Sequence, residues 1–302
     1  KSKSGNAKQI WKEIEEVLKV RNVSYQAFVS EYRGHAGKLA AEICAMDDND
    51  ICLVAVGGDG TANEVINGIT DFEKVRFGVI PTGSGNDLAR GLSLSKDPKN
   101  GAIHILNAMK KSREDTWCMD LGEVNFGEKK RLFAISAGIG LDALVCKKAL
   151  KSTIKDILNK IRLGKLTYLV LTVQSLFTMQ TADAEIFFDR EEGLQKKRMI
   201  FTAAMNFKAE GGGVPMAPAA SACDGKLSFC EAAGIPKWRT FLCLPFLVAA
   251  KHTSIHGFSV TDAKDCTIRL SRPMVVHADG EYCGEVTEVH FHCLPGKLRV
   301  LK

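Results

Sequence analysis

The chain lacks any apolar run long enough to cross a bilayer. Its longest, Phe241 to Ala250, is interrupted by Pro245 and falls well short of the roughly 20 residues a spanning helix needs. The opening residues Lys1-Ser2-Lys3-Ser4-Gly5 lack the apolar core of a secretory signal, so a cytoplasmic setting is expected. No CxxC pair occurs among Cys44, Cys52, Cys118, Cys146, Cys223, Cys230, Cys243, Cys266, Cys283 and Cys293, and several of these lie in apolar runs, which argues against a disulfide scaffold or structural zinc. The GxxxxGK[ST] pattern of a Walker-type NTPase is missing. Also missing are an RNP-like aromatic set, zinc-finger spacing and a long basic arm, so nucleic acid is not an expected partner. There is no internal repeat or low-complexity tract.

What remains is a globular composition, 45% hydrophobic and 25% charged, over 302 residues, a length that suits two domains. The net charge of +6 mildly favours an anionic partner such as a nucleotide or a membrane surface.

Apolar residues at helical spacing (Ile10, Trp11, Ile14, Val17, Leu18) predict a helix over Ala7–Val20, followed by a strand over Ser24–Ser30 and a helix over Ala36–Cys44. Ile51–Val56 reads as a parallel strand buried on both faces. A helix (Asn63–Ile69) and a second such strand (Val75–Ile80) follow, and the alternation implies an α/β domain over residues 1–115. From 116 to 302, short alternating segments such as Arg198–Met205 and Thr287–Leu294, separated by Gly, Asp and Pro turns, imply a mainly β domain. Between them Cys146–Gln180 reads as helical, with Leu150, Ile154, Ile157, Leu158 and Ile161 on one face and Lys148, Lys151, Lys155 and Arg162 on the next. A solvated face over a packed one is preferred there to a helix lying on anionic lipid.

Each early strand runs into a glycine-rich loop. Gly57-Gly58-Asp59-Gly60 ahead of a helix puts unhindered backbone where a phosphate can approach N–H groups. Thr61-Ala62-Asn63-Glu64 fits a capping box, which would start the helix at Thr61 and leave Asp59 free for a metal or polyphosphate. Thr82-Gly83-Ser84-Gly85-Asn86-Asp87-Leu88-Ala89-Arg90 follows the next strand, and two such loops at one carboxyl edge define a cleft. Gly138-Ile139-Gly140-Leu141-Asp142-Ala143 matches G-x-G-x-x-A, but the strand-loop-helix units that would complete a dinucleotide fold precede it, so a tight packed turn is expected. Asp224-Gly225 and Asp279-Gly280 are candidate hairpin turns, with Glu281 just beyond the second and placed to accept a proton from a hydroxyl. His290 and His292 share a strand face but have no third ligand nearby in sequence, and a structural role is expected.

These motifs resemble the diacylglycerol kinase catalytic-domain family, which includes soluble bacterial lipid kinases and the sphingosine and ceramide kinases. The match covers nearly the whole chain, through GGDGTANEVINGI (57–69), PTGSGNDLAR (81–90), Asp120-Leu121-Gly122, AGIGLDALV (137–145), GKLTYL (164–169), GGGVPMAP (211–218), CDGKL (223–227) and HADGEY (277–282). The resemblance implies an N-terminal α/β nucleotide-binding domain and a C-terminal β-sandwich domain, with ATP and a lipid meeting between them. It assigns nucleotide contacts to Gly57, Gly58, Asp59, Gly60, Thr61 and Asn63, with Ser4, Gly5, Ser30 and Thr82 beside them. Asp59 would act through Mg²⁺, Asp87 and Arg90 would organise the cleft, and Asp120 would join a carboxylate network. Ser221, Asp224 and Lys226 match a structural Mg²⁺ site, and Glu281 matches the general base. Members usually begin with a strand ending in Asn-Pro ahead of the Ser-Gly seen here as Ser4-Gly5, so a sequence truncated before that point is implied. Ala219 replaces a common acid after Pro218, and Cys223 replaces a common Asp.

The expected activity is ATP-dependent phosphorylation of a lipid hydroxyl, most simply diacylglycerol to phosphatidic acid, by a protein touching the membrane peripherally. A homodimer is left open. A sphingosine or ceramide kinase, an NAD kinase and an inactive nucleotide-binding module are the alternatives.

Overall fold

The computed structural model describes residues 7–151, 164–189 and 192–302, with the side chains of 150, 151 and 164–168 excepted. The chain forms two compact units, Lys1–Met119 with Gly296–Lys302, and Asp120–Pro295. A cut at 115/116 differs from this chiefly because the C-terminal residues return to the first unit, where Arg299 and Val300 pair in parallel with Arg76 and Phe77.

In the first unit, α1 (Ala7–Val20) forms over the residues its periodicity predicts, with Ile14 buried and Ile10, Trp11, Val17 and Leu18 packed against the core. Residues 23–30 do not become a strand. Tyr25, Phe28 and Val29 are exposed there, and the Tyr25 hydroxyl bonds Glu15 of α1 at 3.1 Å. Strand-forming residue types are insufficient without a neighbouring ladder to join.

Helix α2 (His35–Cys44) leads to β1 (Ile51–Gly57), α3 (Asp59–Gly68) and β2 (Val75–Pro81). β1 and β2 pair in parallel, Ile51 against Val75 through to Gly57 against Pro81, so both glycine loops leave adjacent strand ends. β2 is buried at every position, whereas β1 is not, and Val56 is exposed. Among the described residues β2 has ladder partners on both sides and β1 on one, which accounts for the departure from a doubly buried β1. Cys52, Val54 and Ile80 face α1 and α5 (Pro98–Ala108), reached after the short α4 (Asp87–Gly91).

The second unit is a β-sandwich-like domain of antiparallel strands. β3 (Trp117–Phe126), which enters from the first unit, makes a hairpin with β4 (Lys129–Phe133), and β5 (Ser136–Gly140) follows. After α6 (Leu141–Lys151) and α7 (Gly164–Thr178) come β6 (Ala182–Phe188), β7 (Leu194–Met199), β8 (Phe201–Met205) and β9 (Leu227–Ala232). Then come α8 (Lys237–Val248), β10 (Phe258–Ala263), β11 (Asp265–Ala278) and the long β12 (Glu281–Val300). The expected single strand Arg198–Met205 is divided between β7 and β8. Within the expected helix Cys146–Gln180, residues 152–163 lie outside the described residues.

β11 serves two neighbours. Its first half pairs with β6 and its end, Val276–Ala278, with β5, and the register to β12 shifts between Arg269 and Met274. Pro273, which has no N–H to donate, sits in that shift. The bend sends the end of β11 to the turn that carries Glu281.

Candidate active site

In the first unit the two glycine loops touch backbone to backbone. A Cβ on Gly83 would lie 2.7 Å from the Gly58 Cα, and one on Gly58 would lie 3.2 Å from the Gly83 Cα. The Thr82 N–H donates to the Gly57 carbonyl at 2.8 Å, extending the ladder one residue past the strands. Gly58 is extended (φ −94°), so the glycines here answer a need for close approach rather than for a left-handed backbone.

α3 begins at Asp59, two residues before the capping-box start. No side chain caps it, and Glu64 instead accepts the Gly34 N–H at 2.8 Å. Its first-turn N–H groups are therefore offered at a helix N-terminus, the arrangement that receives phosphate oxygens.

Asp59 is not the free carboxylate expected from sequence. Its Oδ2 accepts the Asp87 N–H at 3.0 Å and its Oδ1 the Leu88 N–H at 3.1 Å, so it ties the start of α3 to the start of α4. Burial raises its pKa above the ordinary carboxylate value, against the pull of the Leu88 N–H and Arg90. Asn86 adopts the left-handed conformation (φ 54°), accepts the Gly83 N–H at 3.0 Å and donates to the Gly83 carbonyl at 2.7 Å. Arg90 pairs with Asp87 and donates to the Gly85 carbonyl at 3.1 Å. Asn63 is buried, with Asn67 donating to its carbonyl oxygens. Gly60, Thr61 and Thr82 are half-buried, and Ser30 is half-buried in the irregular segment after α1. Ser4 and Gly5 lie outside the described residues.

In the second unit the HADGEY segment builds a β-turn. Asp279 (φ 47°) and Gly280 (φ 79°) are both left-handed, as a two-residue hairpin turn requires. The Asp279 carboxylate accepts backbone N–H groups of Ala134 and Ile135 at 2.8 Å and Ser136 at 3.1 Å, fixing the turn to the start of β5. Glu281 follows, half-buried and paired in the ladder with Ala278.

Beneath the turn lies a polar group the sequence reading missed. His277 accepts the Gly280 N–H at Nδ1 (3.2 Å), and its Nε2 meets Asp142 Oδ2 at 3.1 Å. Glu210 accepts from the Ser136 hydroxyl, and its ligand-capable oxygen lies within 4.8 Å of those of Asp142 and His277. Burial raises the Glu210 pKa, opposed by His277, while Asp142, Glu210 and Asp279 raise that of His277 against its own burial. The G-x-G-x-x-A segment thus does more than turn tightly. A Cβ on Gly138 would fall 1.8 Å from Asp142 Oδ2, so this glycine makes room for the Asp142–His277 pair. The available sequence signal was an acid and a histidine beside glycine motifs.

Asp120 is buried. Its Oδ2 accepts the Gly225 N–H at 2.7 Å and its N–H donates to Ala222 at 2.8 Å, so it holds the loop bearing Ser221, Asp224 and Lys226. Asp224 is exposed and accepts the Lys226 N–H at 3.1 Å. The carboxylate, hydroxyl and backbone carbonyls of that loop are hard oxygen donors, a set that suits Mg²⁺.

Residues 1–119 match the diacylglycerol kinase catalytic domain, and residues 136–302 match the YegS C-terminal NAD kinase beta sandwich-like domain. The chain is 30% identical over 98% of its length, and 94% of the relative's, to the Bacillus subtilis protein named "Putative lipid kinase YtlR". It is 28% identical to the B. subtilis "Diacylglycerol kinase" over 81% of this chain and 75% of that one. In fold it resembles a crystal structure titled as a putative diacylglycerol kinase from Bacillus anthracis, with a TM-score of 0.77 at 21% identity, covering 99% of this chain and 92% of that one. Both domains and the full-length relative place the chain in the diacylglycerol kinase family, and it is a kinase of that family.

Proposed function

We propose that the protein transfers the γ-phosphoryl group of ATP to a lipid hydroxyl, diacylglycerol being the preferred acceptor, at a membrane surface that it touches peripherally. The α3 N-terminus and the paired glycine loops receive the nucleotide phosphates, with Gly57, Gly58, Gly60, Thr61 and Thr82 supplying backbone and small side chains. Asp59, Asp87, Asn86 and Arg90 hold the two loops in register. Glu281, on a turn fixed by Asp279, accepts the proton of the acceptor hydroxyl. In phosphoryl transfer positioning and electrostatics dominate, so rigid loops matter as much as the base.

Mg²⁺ bound with ATP supplies charge neutralisation at the transferring phosphoryl group. Both Asp59 oxygens are taken by backbone N–H groups, so its part is to shape the loop. Ser221, Asp224 and Lys226 would hold a second, structural Mg²⁺ through oxygen donors, with Asp120 fixing their loop.

The observation that carries the lipid acceptor is an exposed apolar face on the second unit. Trp238, Phe241, Leu242, Phe246 and Val248 of α8 are exposed alongside Val170 and Phe177 of α7, with the Phe177 and Phe241 rings 6.1 Å apart. Exposed apolar patches of this kind mark interaction sites, and one carrying Trp and Phe suits a bilayer interface. No helix among the described residues is long and apolar enough to cross a membrane.

The test is label transfer from γ-labelled ATP to diacylglycerol, ceramide, sphingosine, monoacylglycerol and NAD offered in parallel. Diacylglycerol is expected to accept most label. Transfer to NAD alone would reassign the acceptor, and ATP binding with neither hydrolysis nor transfer above background would make the chain an inactive nucleotide-binding module.

A further inference from the structure

His290 and His292 have no third ligand nearby in sequence, but the β11–β12 ladder supplies one. It sets Asp265 opposite His292 and Thr267 opposite His290. Asp265 Oδ1 lies 2.7 Å from His292 Nδ1 and 3.4 Å from His290 Nε2, and the three ligand atoms lie within 4.8 Å of one another.

A tetrahedral centre with metal–ligand bonds of about 2.1 Å separates its ligand atoms by roughly 3.4 Å. The Asp265–His290 edge already has that length. The Asp265–His292 edge must open by roughly 0.7 Å to reach it, a movement within reach of side chains about one-third exposed. Thr267 Oγ1 meets His290 Nδ1 at 3.0 Å, the outer-shell partnership that fixes a ring and leaves Nε2 for an ion. The two rings lie within 18° of parallel.

The site also has an approach. A cavity of about 410 Å³ is lined by Phe187, Asp265, Thr267, Arg269 and His290. Arg269 is held in its wall by Glu288 at 2.8 Å and by the face of Phe187, 5.1 Å away.

We propose that Asp265, His290 and His292 form a three-ligand site for a divalent transition metal of the zinc, copper or nickel class, with one coordination position open to this cavity. Two imidazoles and one carboxylate select such ions over Mg²⁺, which prefers oxygen donors. The site is therefore distinct in chemistry from the oxygen-donor loop of Ser221, Asp224 and Lys226. Occupied, it clips β11 to β12 near the start of β11.

The test uses the untagged full chain, since a histidine tag would compete. Cu²⁺ is titrated and followed by electron paramagnetic resonance, and Zn²⁺ by calorimetry. One equivalent of Cu²⁺ showing coupling to two imidazole nitrogens is expected, with Zn²⁺ binding at about 10 μM or tighter. The His290→Gln/His292→Gln pair should weaken Zn²⁺ by about 100-fold or more, and Thr267→Ala by about 10-fold. Cys118→Ser/Cys223→Ser, which removes the exposed thiols, should change nothing. Circular dichroism verifies folding, and if the double histidine variant is unfolded, Asp265→Asn and Thr267→Ala decide the matter. Equal binding by wild type and the variants, a thiolate copper spectrum lost in the cysteine variant, or binding only at millimolar Zn²⁺ would each overturn the proposal.

Discussion

Asp59 joins two helices by accepting one backbone N–H into each carboxylate oxygen, so its loss strands two partly buried donors. Asp59→Ala is expected to destabilise the first unit by about 1–3 kcal/mol and to raise the KM for ATP together with a fall in kcat. Chemical denaturation and steady-state kinetics check this. An unchanged melting profile with a pure kcat loss would return Asp59 to a direct catalytic part. Glu281 is placed differently, after a turn whose geometry depends on Asp279 and Gly280, so Glu281→Gln should leave the turn intact. Turnover is expected to fall by about 10²–10⁴-fold with ATP affinity unchanged, as measured by kcat and by nucleotide binding at equilibrium. Retained turnover would remove Glu281 from the role of base.

The proposed nucleotide site depends on the facing glycine loops, and the proposed membrane contact on α8. A methyl group on Gly83 would press on the Gly58 backbone, where neither side has a flexible end to yield. Gly83→Ala is expected to cost about 1–3 kcal/mol of loop packing and to raise the KM for ATP about 10-fold or more. Comparing ATP titrations of the variant and wild type checks it. On α8, Trp238→Ser with Phe246→Ser removes exposed apolar surface without opening the core, since both side chains face outward. Vesicle cosedimentation and activity on long-chain diacylglycerol in bilayers should fall several-fold, while activity on a short-chain soluble acceptor should hold. Equal loss on both acceptors would point to damage elsewhere in the fold.

At the scale of the molecule, the buried polar group under the Glu281 turn links stability to pH. Glu210 has its folded pKa raised by burial, so the folded state holds that proton more tightly than the unfolded chain. The stability it contributes is full below the ordinary glutamate value, about 4.3, and is lost as pH rises through the raised folded value. His277 is raised as well, so its contribution is full below the ordinary imidazole value of about 6.5 and is lost above it in the same sense. The melting temperature is therefore expected to fall as pH climbs from about 5 through neutrality, and Glu210→Gln should flatten the acid side of that decline. Thermal melts across pH for both proteins test the sign. A melting temperature that rises over this range would show that the cluster does not govern stability.

Local sequence was enough for features whose physics is local. The spacing of Ile10, Ile14 and Val17 produces α1, the largely apolar run at Val75–Ile80 produces a buried strand, and the glycine motifs produce two loops that meet backbone to backbone, an approach that only glycine permits. The family is legible for the same reason, since its ordered motifs are short and contiguous. Other features depend on residues far apart in the chain. Ser24–Ser30 has strand-like composition but no ladder to join. Asp59 looked free until α4 was brought against it, Asp142, Glu210 and His277 meet only when β5 pairs with β11 on one side and β8 on the other, and Asp265 reaches His290 and His292 only across the β11–β12 ladder. A chain order can specify a turn or a helix face, but which carboxylate is spent on a backbone N–H and which stands beside a histidine is decided by strand pairing.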